Sequence, residues 1–294
     1  MDISIGIMAY NEGGNIKKLL ESLLSQKISS GRIVQVVVVA SGCTDDTEGI
    51  VKRFSNQDSR VQLITQRERE GKASAVNLYL KNVKGDIVVL ESADTLPAEN
   101  AIENLVKPFA DERVGMVGGH PVPVDGPNTL LGFSVQLIWR LHHEISRIKP
   151  KAGELVAFRN IIKQIPKNTA ADEAWIESMV TKKGYILAYA PDAIVKNKGP
   201  ETVLDLIRQR KRIYIGHLHL KKNQDYAPLT MDALAVLKVV LKHVELNPTR
   251  LLFLVMAVLL EAYSRASAIV DFYVLGRNPY RWEIAKTTKN LKNV

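Results

Sequence analysis

Four consecutive valines, Val36 to Val39, and the run Ile87-Val88-Val89-Leu90 constrain this chain most. A strand with one wet face alternates apolar and polar residues. A short continuous apolar run instead reads as a strand buried on both faces. Such strands belong to sheets covered by helices on both sides, and helical periodicity does separate the runs here. The predicted strands span 3–10, 34–40, 61–65, 87–90 and 114–117. Helices are predicted over 15–26, where Ile16, Leu19, Leu20, Leu23 and Leu24 share one face, and over 71–82 and about 98–110. The second half is less regular, with a helix over 128–148, a strand over 155–158 and a helix over 172–183 stopped by Gly184. A strand over 186–189, a basic helix over 202–220 and helices over 228–246 and 248–276 complete it. The fold class is α/β: a Rossmann-like, mostly parallel sheet with flanking helices and a C-terminal helical appendage.

Charge divides the chain unevenly. Residues 1–195 balance 23 Lys and Arg against 23 Asp and Glu, whereas residues 196–294 carry 17 against 8, the whole surplus of nine. A basic region suits nucleic acid, anionic headgroups or phosphorylated substrates. No nucleic-acid motif accompanies it, so no nucleic-acid partner is expected. Cys43 is the single cysteine. It fits a reducing compartment and reads as a small packing residue. Met1 to Ile5 lack a basic n-region and enter a strand at once, so no signal peptide is expected.

The run from Ile87 ends in an acidic turn, Glu91-Ser92-Ala93-Asp94. In open α/β sheets ligands bind beyond the carboxyl ends of the strands. A carboxylate there can hold a divalent cation against a diphosphate, since hard cations take oxygen ligands. Asp94 alternatively caps the helix starting near Ala98. A dinucleotide fold would need G-x-G-x-x-G after the first strand. The chain has Tyr10-Asn11-Glu12-Gly13-Gly14-Asn15 there, and no Walker-type Gly-Lys-Ser loop. An amide and a carboxylate suit a base or ribose better than a pyrophosphate wrap.

These segments resemble, in order and spacing, the family of inverting glycosyltransferases that includes cellulose, hyaluronan and dolichyl-phosphate sugar synthases. The matching segments are Tyr10-Asn11-Glu12, Ser41-Gly42-Cys43-Thr44-Asp45-Asp46-Thr47, Gly71-Lys72 with Asn77, and Ser92-Ala93-Asp94. Gly153 to Arg159 resembles the family's acceptor-side strand, Ala171-Asp172 its Glu-Asp, and Gln209-Arg210-Lys211-Arg212-Ile213 its Gln-x-x-Arg-Trp. The resemblance covers about residues 3–220 and implies the GT-A fold. The implied division is a catalytic domain over 1–222 and C-terminal amphipathic helices over 223–294.

It also implies roles. Tyr10, Asn11, Glu12, Ser41, Asp45, Lys72, Ser92 and Asp94 form the nucleotide and donor set, with Asp94 holding Mg2+ or Mn2+. Asp172 is the general base. Glu154, Arg159, Gln209, Arg210 and Arg212 face acceptor and diphosphate. The implied donor is a nucleoside-diphosphate sugar, UDP-linked by preference, and the acceptor is lipid-linked or a glycan. Four positions depart from the family pattern. Ser92 replaces the first acid of Asp-x-Asp, leaving Asp94 with waters and Glu91. Ser41 replaces an acid that reads the base, Ala171 the glutamate beside the catalytic base, and Ile213 the tryptophan. A sugar-nucleotide-binding relative without catalysis is the alternative.

Local alternatives stay open. Asp172 is equally suited to N-cap its helix, Glu173 could be the working carboxylate, and Arg208 to Arg212 could form a solvated helix face. His142 and His143 point about 100° apart on a helix and do not share a metal. In the appendage, Leu251 to Leu260 is ten apolar residues, too short to span a bilayer. Glu261 and Arg265 stand one turn apart and can pair. With Arg277, Tyr280, Arg281, Trp282 and Lys286 beyond, residues 228–294 read as interfacial. The expected location is the cytoplasmic face of the membrane, and a second copy of the chain could cover the same apolar face.

Overall fold

The computed structural model describes residues 1–281. Eight strands form one sheet: β1 (Asp2–Ala9), β2 (Arg32–Ser41), β3 (Val61–Gln66), β4 (Ile87–Ser92), β5 (Thr95–Pro97), β6 (Val114–Pro123), β7 (Leu155–Arg159) and β8 (Ile186–Asn197). Their order across the sheet is β3-β2-β1-β4-β7-β6-β8-β5. The block β3-β2-β1-β4 is parallel, as is the β6–β8 pair. Strand β7 is inserted antiparallel between β4 and β6.

The valine run does what its pattern demands. Val36 and Val38 enter a core on one face with Ile3, Ile5 and Ile87, beneath α1 (Ile16–Leu24) and α4 (Ala101–Val106). Val37 and Val39 enter a second core with Val88, Leu90 and Phe158, beneath α3 (Lys72–Leu80) and α6 (Asp172–Lys182). All four valines are fully buried. The α3 packing needs Gly6, because a Cβ there would stand 2.3 Å from the Tyr79 ring. The Tyr79 hydroxyl is itself satisfied by the Ser4 carbonyl at 2.6 Å.

Boundaries shift where short-range signals compete. The helix predicted from Ala98 starts at Ala101, because residues 95–97 form β5 against β8. Asn100, not Asp94, occupies the N-cap position. Strands β6 and β8 outrun their predicted ends and remain paired through Pro123 and Asn197, despite irregular register. Gly184, at φ +87°, ends α6 as expected. The predicted helix over 228–246 is a short 3-10 turn followed by α8 (Ala233–Leu241), restarted by Asp232, whose carboxylate accepts from the Leu234 and Ala235 amides.

The second half adds α5 (Leu130–Ile148), α7 (Val203–Gln224) and α9 (Pro248–Tyr273), with α2 (Thr47–Gln57) completing the first. Helix α9 is long and apolar enough to cross a membrane by length and composition, longer than its ten-residue apolar run suggested. Its charged residues nevertheless face protein. Arg210 of α7 grips Glu261 with two bonds of 2.8 and 3.0 Å, and Arg265 reaches the same carboxylate at 2.7 Å. Lys211 pairs with Asp271 at 2.7 Å. Ile215, Leu218, Ala268 and Phe272 pack between the two helices.

Candidate active site

The carboxyl ends of β1, β2 and β4 open into a cleft of about 1170 Å³, closed on the far side by α5, α7 and α9. Tyr10, Glu12, Ser41, Lys72, Ser92, Asp94, Glu154, Asp172, Gln209, Arg210 and Arg212 all line it. Residues scattered from 10 to 212 in the sequence thus meet around one cleft.

Loops after β1 and β2 form the first wall. Asn11 adopts the left-handed conformation, φ +53°, which asparagine tolerates better than most residues. Its side-chain oxygen accepts from the Thr44 amide at 2.7 Å. Asp45 accepts from the Gly13 amide at 2.8 Å and from the Thr47 amide at 3.1 Å. Asn11 and Asp45 therefore tie the two loops together and do not line the cleft. The Glu12 amide donates to the Thr47 hydroxyl at 2.8 Å. Arg69, which no motif flagged, lies over the Tyr10 ring at 4.7 Å and also lines the cleft.

The central feature joins α3 to α6. Lys72 Nζ lies 3.0 Å from Asp172 Oδ2 and 2.5 Å from Glu173 Oε1. Asp172 sits at the first helical position of α6, with Ala171 at the cap, so its carboxylate serves Lys72 and does not cap the helix. Desolvation and the neighbouring Glu173 raise its pKa to about 6, against the pull of Lys72. Burial opposes charge on Lys72, but the two carboxylates overcome it and hold the ammonium well above its usual range.

Below this pair, β4 meets the start of β7. Ser92 Oγ donates to Glu154 Oε2 at 2.7 Å. Desolvation and Asp94 push Glu154 up to about 7. Glu91, expected to assist Asp94, is instead 2% exposed beneath the floor and accepts from the Thr95 hydroxyl. The alternation of side chains along β4 turns it away from the cleft. Arg212 feels Glu154, Asp172, Glu173 and Asp94 together, and desolvation alone lowers its pKa.

Of the expected acceptor-side residues, one stands elsewhere and one is engaged by another helix. Because β7 runs antiparallel to β4, Arg159 faces Ile87 at the opposite end of the sheet. Its guanidinium is spent on the carbonyls of Val114, Phe109 and Asp111, at 2.8, 3.1 and 3.1 Å. Arg210 lines the cleft, but its fork is committed to Glu261. Conversely, Lys151 and His217 line the cleft without any sequence signal. Among the described residues the Lys151 ammonium makes no ion pair within 4.0 Å. Desolvation holds the His217 imidazole well below its usual range, and the nearby Lys151 and Arg210 charges add to this.

The histidines on α5 diverge as helix geometry requires. His142 is buried against the Ala152 carbonyl, and burial pushes it down to about 3, while His143 stacks on His120 at 4.2 Å. Arg277 and Arg281, expected at a membrane interface, fold back to line the cleft, where the Tyr280 carbonyl would stand 2.9 Å from a Cβ on Gly71. Trp282 and Lys286 lie outside the described residues.

A parallel α/β sheet whose strand ends gather acidic and basic side chains in this way, with an antiparallel strand completing the floor, defines a GT-A glycosyltransferase. The chain belongs to glycosyl transferase family 2, whose model matches residues 4–178. It is similar to the poly-beta-1,6-N-acetyl-D-glucosamine synthase of Staphylococcus aureus, 25% identical over 224 residues, covering 71% of this chain and 53% of that protein. It is also similar to glycosyltransferase GlyG of Streptococcus pneumoniae, 28% identical over 118 residues, covering 40% and 38% of the two chains. The chain thus spans about half, or less, of the length of these curated relatives. Among solved structures it resembles the mannosyltransferase PcManGT of Pyrobaculum calidifontis, in complex with GDP-Man and Mn2+. That match has a TM-score of 0.62 and 26% identity, covering 95% of this chain and 81% of the other. The fold also matches glucosyl-3-phosphoglycerate synthase of Mycobacterium tuberculosis, with a TM-score of 0.51 and 19% identity, covering 74% and 77%.

Proposed function

We propose that the protein is an inverting glycosyltransferase that moves a hexosyl or N-acetylhexosaminyl group from a nucleoside-diphosphate sugar to a lipid-linked or polysaccharide acceptor. The observation that carries this reading is the convergence of Asp172, Lys72, Glu154, Asp94 and Arg212 on one cleft at the strand ends. Asp172 accepts the proton of the acceptor hydroxyl, for which its raised pKa suits it. Lys72 orients that carboxylate and stabilises it once acceptor binding excludes water. Arg212 offers its forked donors to diphosphate oxygens. The hard oxygens of Asp94 and Glu154 fit Mg2+ or Mn2+, which when bound neutralises charge on the departing diphosphate. Attack in a single displacement inverts the anomeric carbon.

Two features support an amphiphilic acceptor and a peripheral location at the cytoplasmic membrane. The cleft continues between α5, α8 and α9, where Leu137, Leu141, Val236, Val240 and Ala257 make its lining apolar. Outside it, Leu234 and Leu241 on α8 and Leu252 and Leu259 on α9 are more than half exposed, and Leu237 stands half exposed at its rim. Lys238 and Lys242 stand beside them for anionic headgroups. In this reading residues 1–222 are catalytic and 223–294 an interfacial appendage, unless a second copy covers the same face. A UDP-sugar is the preferred donor.

Calorimetric titration with UDP, GDP and their sugar conjugates, with and without Mn2+, tests the core of the proposal. Metal-dependent binding of one nucleotide that Asp94→Ala abolishes supports it, and absence of binding by every nucleotide overturns it. Ser92 and Ala171 favour a second reading, a binding protein without transfer. Tight binding with no sugar release in the presence of any glycan or lipid acceptor would select that reading.

A further inference from the structure

Ser92 leaves a gap in the sequence: the family's first acid is missing, and Glu91, the adjacent alternative, is buried beneath the floor. The fold fills that gap from another strand. Because β7 is inserted antiparallel beside β4, its first residues arrive at the last residues of β4, and the Ser92 amide donates to the Glu154 carbonyl at 3.3 Å. The Ser92 hydroxyl then holds one oxygen of the Glu154 side chain at 2.7 Å. A carboxylate at position 92 would repel Glu154 at that distance, whereas a hydroxyl anchors it.

We propose that Glu154 supplies the second carboxylate of the divalent-cation site, standing in space where the family's first acid stands in sequence. The inference rests on the metal-dependent reading above. Its donors are incompletely used by the protein. Glu154 Oε1 accepts no hydrogen bond among the described residues, and the Asp94 carboxylate has no hydrogen-bond or ion-pair partner among them. Both side chains line the cleft. Lys72, one neighbouring cation, is engaged by Asp172 and Glu173. Arg212, the other, lies in the combined field of Glu154, Asp172, Glu173 and Asp94. No group of three or more His, Cys, Asp or Glu side chains able to hold a metal occurs among the described residues. Mg2+-type sites in nucleotide enzymes use one or two carboxylates together with substrate phosphates. Cation binding should therefore require the nucleoside diphosphate as well.

The test is the free Mn2+ signal in electron paramagnetic resonance, titrated with protein in the presence of UDP or GDP. Wild type, Asp94→Asn, Glu154→Gln and the double variant Ser92→Asp/Glu154→Gln are compared, each checked for folding by thermal unfolding. Wild type should bind Mn2+ only with a nucleoside diphosphate. Glu154→Gln should weaken binding by about tenfold or more, the scale on which a lost metal-site partner is felt. Ser92→Asp in that background should recover most of that roughly tenfold loss. Wild-type affinity in Glu154→Gln would overturn the inference, with loss in Asp94→Asn leaving the metal-dependent reading standing. Failure of Ser92→Asp to rescue a folded Glu154→Gln would also overturn it, since Glu154 would then act by supporting the strand pair. No Mn2+ binding by wild type with either nucleotide would overturn both.

Discussion

The Lys72 ammonium lies 3.0 Å from the Asp172 carboxylate, joining the start of α3 to the start of α6. Glu173 shares the same ammonium at 2.5 Å. The two acids are adjacent on one helix end and share that cation; burial and Glu173 outweigh it at Asp172 and leave its pKa raised to about 6. Removing the base should therefore separate chemistry from binding. Asp172→Asn is expected to lower turnover by about 10²-fold or more, as for loss of a general base. Nucleotide affinity by calorimetry should stay within a few-fold of wild type.

A pH profile reads the same group. Asp172 must be ionised to accept a proton, so turnover should fall as pH drops below about 6. The fall should approach about tenfold per pH unit, as one titrating base dictates. Lys72→Met removes the charge that favours ionisation, so the acid limb should move to higher pH. An unmoved limb would show that another group sets it.

The α7–α9 clasp predicts a stability effect remote from the reaction. Burial would raise the Glu261 pKa, but Arg210 and Arg265 together hold it at about 2. Glu261→Gln leaves two guanidinium groups facing each other without their shared anion. The cost should be about 2–3 kcal/mol, at or below the roughly 3–5 kcal/mol of a fully buried pair, because the site is partly solvated. Urea unfolding measures it.

Gly6 gives a sharper packing test. A methyl group there meets the Tyr79 ring at 2.3 Å, so Gly6→Ala should cost about 1–3 kcal/mol by overpacking. Tyr79→Phe, which removes only the hydroxyl bonded to the Ser4 carbonyl, should not relieve it.

The interfacial reading is tested with liposomes. The paired substitution Leu234→Asp/Leu241→Asp alters two exposed side chains outside the cleft, so folding should be unaffected. Cosedimentation with anionic vesicles at low salt should fall by about tenfold or more, given about 1.5–3 kcal/mol for each buried leucine. Unchanged cosedimentation would overturn the interfacial reading, and a shift from dimer to monomer by light scattering would assign the face to a second copy of the chain.

Much of the fold was legible because both faces of its strands are apolar: Val36 to Val39 could hardly be anything but a central strand. The order of the loops placed Glu12, Lys72, Asp94, Asp172 and Arg212 around one cleft. Strand direction was invisible. Nothing in Gly153 to Arg159 says that the strand runs antiparallel, yet that direction sends Glu154 into the cleft and Arg159 to the far edge. A three-residue strand such as β5 has too little pattern to announce itself. Lys151 and His217 reach the cleft only through tertiary packing, which no local spacing encodes.

Helix α7 gives successive cleft-lining side chains different tasks: Arg210 and Lys211 also hold α9 through Glu261 and Asp271, while Gln209 and Arg212 do not. Neighbours on a single helical turn thus both face the cleft and fasten the helix behind it. Any force or partition that shifts α9, whether lipid, a partner or a substitution on its outer surface, is delivered within one residue of the cleft lining. On the proposed reading, adhesion and turnover are therefore geared together and cannot be tuned as independent properties.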